Sequence, residues 1–316
     1  MSKEEYIKKL QEKNGGYSNY EIDLAEKALD TGATVEQVNH LWENCDGVLT
    51  FRNAIGALIA GFPMPYAQYF LDSDIAYSPG NAVLRGFKEG ITLEQAQKYF
   101  TKELGESQIQ GMCELLLATS EENAAPYLSQ PFRLRQFQSI AHGFKNGYTM
   151  EQIALYAKPE VNSHTMQAVC KMIDRGISKE IIKCIVDASL NTKQLELVSD
   201  AVFDDVPLSV LKLICKKNCL LQKMQYILQG HKEGFSDIQL LQLSNGRHPR
   251  ELDRLYNMIK TPDTAQQPAS VHTSAGQICE VMSYDILRSN VIQMLPFLTA
   301  AQKKELTNLI LFGENK

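Results

Sequence analysis

This sequence predicts an all-helical fold: an α-solenoid of about eight helix-turn-helix units, each about 29 residues long, followed by a C-terminal helical piece. Three observations predict it. Glycines recur at a fixed spacing, apolar residues keep fixed positions around them, and helix-capping residues follow two positions later. The predicted divisions are a helical repeat array over 1–260, a linker over 261–275 and a helical cap or tail over 276–316.

The fixed spacing is carried by eight residues that we call the marker residues. Successive marker residues are separated by a nearly constant interval of about 29 residues. Because a period between about 20 and 50 residues is typical of repeat proteins, each interval is taken as one structural unit. The marker residues are Gly32, Gly61, Gly90, Thr119, Gly147, Gly176, Asp205 and Gly234.

A first helix is predicted before each marker residue. Apolar side chains stand ten, seven and three residues before it, and these positions share one face of an α-helix. A glycine at the marker position suits the left-handed conformation that ends many helices. The residues seven positions before the markers are Ala25, Ala54, Val83, Met112, Ile140, Val169, Val198 and Ile227.

A second helix is predicted after each marker residue. In four units a Ser or Thr two residues after the marker is followed, three residues later, by Gln. This pattern is a capping box, in which the hydroxyl and the amide bind backbone N–H groups that the first turn leaves unpaired. The four pairs are Thr34 and Gln37, Thr92 and Gln95, Thr149 and Gln152, and Ser236 and Gln239.

One stretch of the array also resembles known repeats. Residues 156–178 read YAKPEVNSHTMQAVCKMIDRGIS, with the spacing YA-x-P, x-Q/T-M and x-x-G. This resembles tandem helical repeats in uncharacterised proteins of Gram-positive bacteria and their mobile elements. The resemblance covers roughly residues 17–260 and implies the repeat fold. It implies no catalytic or binding residue.

Composition bounds the class of protein. The chain has 316 residues, of which 44% are hydrophobic, and it shows neither a secretory signal nor an apolar run long enough to span a bilayer. The seven cysteines are scattered without a CxxC pair, which is typical of reduced thiols. We therefore expect a soluble cytoplasmic protein that does not associate with membranes.

The sequence carries no familiar catalytic motif, neither a phosphate-binding loop nor a zinc-protease nor a hydrolase signature. We therefore expect a protein that is not an enzyme and needs no cofactor. Two sets of residues offer an alternative, a metal site and a catalytic pair. Cys215, Cys219 and His231 have residue types that bind zinc, and Cys184 with His142 has those of a nucleophile and base. A core thiol and an ordinary histidine explain the first set more simply. Cysteines on the surface of repeats are common and explain the second.

Basic residues form the first candidate binding site. Lys183 and Lys212 hold equivalent positions in adjacent units, and Lys216 is expected one helical turn beyond Lys212. If the second helices line one surface, these residues and their neighbours form a basic stripe on units six to eight, which would suit an anionic partner. An ordinary solvated face is the alternative. The residues of the stripe are Lys183, Lys212, Lys216, Lys217, Arg247 and Arg250.

Aromatic residues form the second candidate site. Tyr69 and Tyr127 stand eight residues after their markers, beside the apolar face, and Trp42 is the single tryptophan. In a binding groove such side chains are anchors. At helical spacing they are also common as partly buried core residues.

The predicted function is a non-enzymatic protein-binding scaffold or inhibitor that acts by occlusion or bridging, because solenoids present long rigid surfaces. The resemblance to proteins of mobile elements implies a blocker of a host complex as one form of this function. The alternative is a nucleic-acid-binding repeat protein that uses the basic stripe, or that binds a nucleoprotein. An enzyme is left open at this point, with a site either in the C-terminal piece or between units. The oligomeric state is left open as well.

Overall fold

The computed structural model describes residues 1–13 and 18–260, and every regular element in these ranges is a helix. The all-helical prediction is confirmed. The predicted linker 261–275 and C-terminal piece 276–316 lie outside the described residues. In chain order the helices are α1 Lys3–Lys13, α2 Asn19–Asp30, α3 Val35–Asn44, α4 Val48–Ile59, α5 Met64–Asp72, α6 Tyr77–Glu89, α7 Leu93–Tyr99, α8 Glu106–Ala118, α9 Glu121–Leu128, α10 Leu134–Lys145, α11 Met150–Tyr156, α12 Ser163–Asp174, α13 Lys179–Ala188, α14 Thr192–Phe203, α15 Leu208–Ile214, α16 Leu221–Lys232, α17 Asp237–Asn245 and α18 Pro249–Lys260.

The even-numbered helices from α2 onward are the predicted first helices, and those from α2 to α16 each end one or two residues before a marker residue. Seven of the eight marker residues have a left-handed backbone, with φ between 56° at Asp205 and 116° at Gly90. The residue after the marker then donates its N–H to a carbonyl in the last turn, as Ile91 does to Gly86 at 2.9 Å. This Schellman motif satisfies carbonyls that the helix end leaves free and turns the chain sharply.

The odd-numbered helices from α3 onward are the predicted second helices. All four predicted capping boxes are present. In α7 the Thr92 N–H donates to Gln95 Oε1 at 3.0 Å, and the Gln95 N–H donates to Thr92 Oγ1 at 3.1 Å. Each such cap stabilises its helix by about 1 kcal/mol, so the short second helices begin at defined residues.

The fourth unit departs from the prediction. Thr119 is extended, with φ −155° and ψ 176°, and α9 is capped by Ser120, whose side chain accepts a hydrogen bond from the Asn123 N–H at 3.4 Å. The interval from Thr119 to Gly147 is one position shorter than the others. The missing residue is therefore the left-handed one, and the turn between α8 and α9 is made without it.

The predicted apolar positions form the core. All eight residues seven positions before the markers are buried, and so are the eight residues ten positions before them. Small residues allow close approach within a unit: a Cβ on Gly143 would lie 2.4 Å from the Tyr156 hydroxyl, and one on Gly230 would lie 2.7 Å from Phe235. Glycine at these two positions is therefore a packing requirement.

Packing contacts run along the chain in order. Each even-numbered helix from α2 to α16 packs on the next even-numbered one, and the main helix–helix contacts join helices no more than two places apart. At the beginning, α1 packs on α2 through the buried side chains of Tyr6, Ile7 and Leu10. The core is thus assembled from neighbouring segments.

Glutamine side-chain amides link one unit to the next. Gln136 accepts a hydrogen bond from the Arg133 N–H at 2.8 Å, and its amide group donates to the Val161 carbonyl of the following unit at 2.7 Å. Gln194 does the same, with its amide group 2.6 Å from the Cys219 carbonyl. Each amide caps its own helix. It also donates a hydrogen bond to a backbone carbonyl in the connection that leads to the next first helix.

Candidate binding surface

The second helices of the last units, the connections that follow them and the first turn of α18 carry the residues of the predicted basic stripe. Helix α13 packs on α15, and α15 packs on α17. Each buries an apolar pair against the core, and the pairs are Ile182 and Ile185, Leu211 and Ile214, and Leu240 and Leu243. Because one face of each helix is buried in this way, residues between those positions are directed to solvent. We call the six exposed residues Lys183, Lys212, Lys216, Lys217, Arg247 and Arg250 the basic surface.

Lys183 and Lys212 are the centre of the basic surface. Each stands seven residues after its marker residue, on helices that pack side by side. Packed helices lie about 8–10 Å apart, so equivalent positions on α13 and α15 are separated by about that distance. The predicted proximity of these two positions therefore follows from the packing.

Lys216 is placed differently from the sequence prediction. Helix α15 ends at Ile214, and Lys216 and Lys217 lie in a turn in which the Cys219 N–H donates to the Lys216 carbonyl at 3.0 Å. Asn218 is left-handed in this turn, with φ 62°. The helix stops short of Lys216, so both lysines extend from the connection to α16.

Arg247 and Arg250 lie one unit further along. They occupy the connection between α17 and α18 and the first turn of α18, where the Arg247 N–H donates to Glu251 Oε2 at 2.7 Å. This connection follows α17 as the lysine-bearing turn follows α15, and α15 and α17 pack together. The two connections therefore lie at the same end of adjacent second helices.

The cations of the basic surface have no ion-pair partner within residues 1–13 and 18–260, where none of the six has a carboxylate within ion-pair distance. Some lysines elsewhere do pair with acidic residues of a neighbouring unit, as Lys98 does with Glu121 at 2.6 Å and Lys260 with Glu233 at 2.9 Å. The second helices of the last units, their connections and the first turn of α18 thus carry six exposed cations without an ion-pair partner among the described residues.

The aromatic candidates are positioned less favourably for binding. Tyr69 and Tyr127 are each 5% exposed, and the Tyr69 hydroxyl donates to the Phe100 carbonyl at 3.4 Å. Both tyrosines are therefore core residues of the array. Trp42 is half-buried, with its ring edge-on to Phe51 at a centroid distance of 5.3 Å.

The cysteines near the basic surface belong mostly to the interior. Cys215 and Cys219 are buried and His231 is half-buried, and the described part of the chain holds no group of three His, Cys, Asp or Glu residues that could bind a metal ion. A hydrogen bond with Cys215 lowers the pKa of the half-buried Cys184 thiol against the effect of burial, and the charge of Lys212 lowers it further.

A cleft of about 380 Å³ between α10 and α12 contains His142, Cys170 and Asp174. Burial raises the pKa of the Cys170 thiol, so this thiol is not activated as a nucleophile. Asp174 accepts a hydrogen bond from the Tyr148 hydroxyl. The ring nitrogens of His142 lie 3.2 and 3.3 Å from the side-chain nitrogen of Asn146.

Two apolar residues beside the basic surface were missed by the sequence analysis. Ile238 is 59% exposed, and Leu241 is partly exposed one turn further along α17. Leu241 stands seven residues after its marker residue, the position that Lys183 and Lys212 hold in the preceding units. A leucine on the solvent-facing side of a second helix was the signal that could have identified this site.

No described helix is both long enough and apolar enough to cross a bilayer. Comparison of the chain with protein families, with characterised proteins and with solved structures gave no significant match.

Proposed function

We propose that the chain is an α-solenoid of eight units that binds an acidic protein partner through the basic surface, and that it acts as a non-enzymatic scaffold or inhibitor. Two observations support the solenoid. Helices pack on neighbours no more than two places away, and seven marker residues end their helices in the same left-handed turn. Units of this kind bury their apolar faces only against adjacent units.

The observation that carries the proposed function is the unpaired charge of Lys183 and Lys212 on adjacent helices of the described array. Uncompensated cations raise the association rate of an anionic partner and select its orientation. Because the helices that carry them are fixed by a buried core, binding requires little ordering of the surface. The chain would then act by covering the partner's acidic surface or by bridging it to a second protein, and blocking a host complex is one such action.

Nucleic acid is the second candidate, because a phosphate backbone is also attracted by unpaired lysines and arginines. The basic surface is local, however. The position of Lys183 and Lys212 is held in the other five units before them by Asn39, Gln68, Gln97, Pro126 and Ala154. A strand of nucleic acid that followed the array would therefore leave the cations after a few units.

The test is affinity capture from cell extract of the native source with the full chain, a K183E/K212E variant and a K145E/K193E control. Lys145 and Lys193 are exposed and have no ion-pair partner among the described residues, so the control makes the same charge change elsewhere. We expect a protein that is retained by the full chain and by the control, resists nuclease treatment and is lost with K183E/K212E.

Salt dependence separates the two candidates. Binding to an oligonucleotide through several phosphates would weaken by about a thousandfold between about 50 and 200 mM salt. Nuclease-sensitive capture with such a salt dependence would establish the nucleic-acid candidate instead. Capture that is unchanged by K183E/K212E would reject the basic surface for either class of partner.

A further inference from the structure

The exposed face of α17 combines with the basic surface to form a composite site. Leu240 and Leu243 are the apolar residues that α17 contributes to the core, being 1% and 0% exposed. Ile238 and Leu241 lie three residues apart on the solvent side of the same helix. An exposed isoleucine and a partly exposed leucine thus lie together on a helix that packs beside the one that carries Lys212. Apolar side chains exposed within a polar surround are typical of interaction sites.

The geometry of the row defines what fits it. Lys183, Lys212 and Leu241 are equivalent residues of three helices that pack in succession. At about 8–10 Å between neighbouring helices, the row extends for about 20 Å. Along the row, two positively charged side chains are followed by one apolar side chain.

From this row we infer that the occupant is an acidic protein segment that places a large apolar side chain on Ile238 and Leu241. The inference rests on the proposed function and deepens it, because Ile238 and Leu241 become binding residues and the partner's chemistry is specified. In a helical segment, seven residues advance about 10.5 Å, so two carboxylates and one apolar residue at seven-residue steps match the row. Aliphatic side chains offer no flat ring for bases to stack on, which favours protein over nucleic acid.

The test uses displayed random peptides of about 20 residues, long enough to cover the row as a helix. They are selected on the immobilised full chain at about 100 mM salt, where exposed charges still act over about 10 Å. We expect enriched peptides to be acidic and to share one large apolar residue.

A selected peptide, labelled with a fluorophore, is then titrated with variants of the full chain. We expect I238S/L241S to weaken its binding by about tenfold or more, the effect of removing an interface anchor. The matched control is Leu49→Ser, since Leu49 is 50% exposed on α4, far along the chain from this site. We expect the control to change the dissociation constant by less than about twofold.

The outcomes separate this inference from the proposed function. Peptides that need Lys183 and Lys212 but bind I238S/L241S as well as the unchanged chain would overturn the inference and leave the proposed function standing. Peptides that are not acidic, or that bind K183E/K212E unchanged, would overturn both. If I238S/L241S unfolds, Ile238→Glu is compared with Leu49→Glu, and equal binding by these two variants would overturn the inference.

Discussion

Glu21 is a buried carboxylate that joins the first unit to the second. Its side chain is 1% exposed, and it is held by Arg52 of α4 at 2.5 Å and by the Ser18 N–H at 2.9 Å. Burial by itself raises the pKa of this carboxyl. The hydrogen bonds from Ser18 and Arg52 and the charge of Arg52 outweigh burial, so the pKa lies below its usual value.

Replacing Glu21 with Gln is expected to lower the free energy of unfolding at pH 7 by about 1–2 kcal/mol. The loss is below the roughly 3–5 kcal/mol typical of a broken buried ion pair, because Arg52 is partly exposed and Gln still accepts the Ser18 hydrogen bond. A lowered carboxyl pKa stabilises the fold above the pKa of the unfolded chain, about 4.3, and this contribution disappears as the pH falls through the folded pKa.

The difference between wild type and E21Q should therefore shrink as the pH falls below about 4.3. Urea unfolding of both proteins at several pH values measures it. A difference that stays constant down to acid pH would mean that the ionised carboxylate is not the source of the stability.

At the scale of single residues the sequence predicted burial well and interactions across units poorly. The eight apolar residues seven positions before the markers are buried as expected. The roles of Glu21, Gln136 and Gln194 were missed, because their partners are backbone or side-chain groups of the next unit. For Tyr69 and Tyr127 the sequence left a binding groove and the core as alternatives, because a position beside the apolar face can turn either way and the sequence does not give the packing that decides it.

The turn between two helices is the element on which the repeat depends. Seven marker residues adopt the left-handed backbone there, and one of them, Asp205, is not glycine. A side chain in this conformation is strained by about 1 kcal/mol or more, although Asp and Asn tolerate it better than other residues do. Glycine is unstrained at the equivalent position of Gly176, where an added Cβ would meet no atom within 4 Å.

Two substitutions at equivalent turns should therefore act in opposite directions. Gly176→Ala is expected to lower the free energy of unfolding by about 1 kcal/mol, purely through backbone strain. Asp205→Gly is expected to raise it by about 0.5 kcal/mol. Gly176→Asn is the intermediate control, because Asn tolerates a positive φ. Urea midpoints with unchanged slopes measure the three effects, and a loss of stability in Asp205→Gly would contradict this account of the turn.

At the scale of elements the sequence located helix starts better than helix ends. Capping boxes are local patterns, so all four predicted second-helix starts were confirmed. The period alone could not tell which residue of the fourth unit was missing. The sequence around Asn218 also did not indicate that α15 ends early and is followed by a left-handed residue. Lys216 was therefore expected on a helix and lies in a turn instead.

Along the whole sequence, charge changes from one end to the other. Residues 1–130 contain 10 basic and 19 acidic side chains, whereas 131–316 contain 22 and 18. In the first three units the second helices carry exposed acidic residues such as Glu36, Asp72 and Glu94, and in the later units they carry the lysines. An acidic partner is therefore drawn towards the later units and repelled from the first ones.

If the array is a true repeat, one whole unit should be removable without loss of the fold. Deleting positions 147–175, one full period, joins Asn146 to Gly176, so that α10 is followed by a left-handed turn and then by α13. Helix α14 then takes the place of α12 against α10. Because units contact only their neighbours, we expect a helical protein that still unfolds cooperatively. It should be less stable by about 2–5 kcal/mol, since Met172 at the interface is replaced by the smaller Ala201.

The matched control deletes positions 147–160, about half a period, and places α12 where a second helix belongs. Its apolar face then meets the wrong neighbours, and we expect loss of cooperative unfolding and of helical circular dichroism. Thermal melts followed at the helical band compare the two proteins. Equal disruption by both deletions would mean that the chain has a single interdependent core, in which no unit can substitute for another.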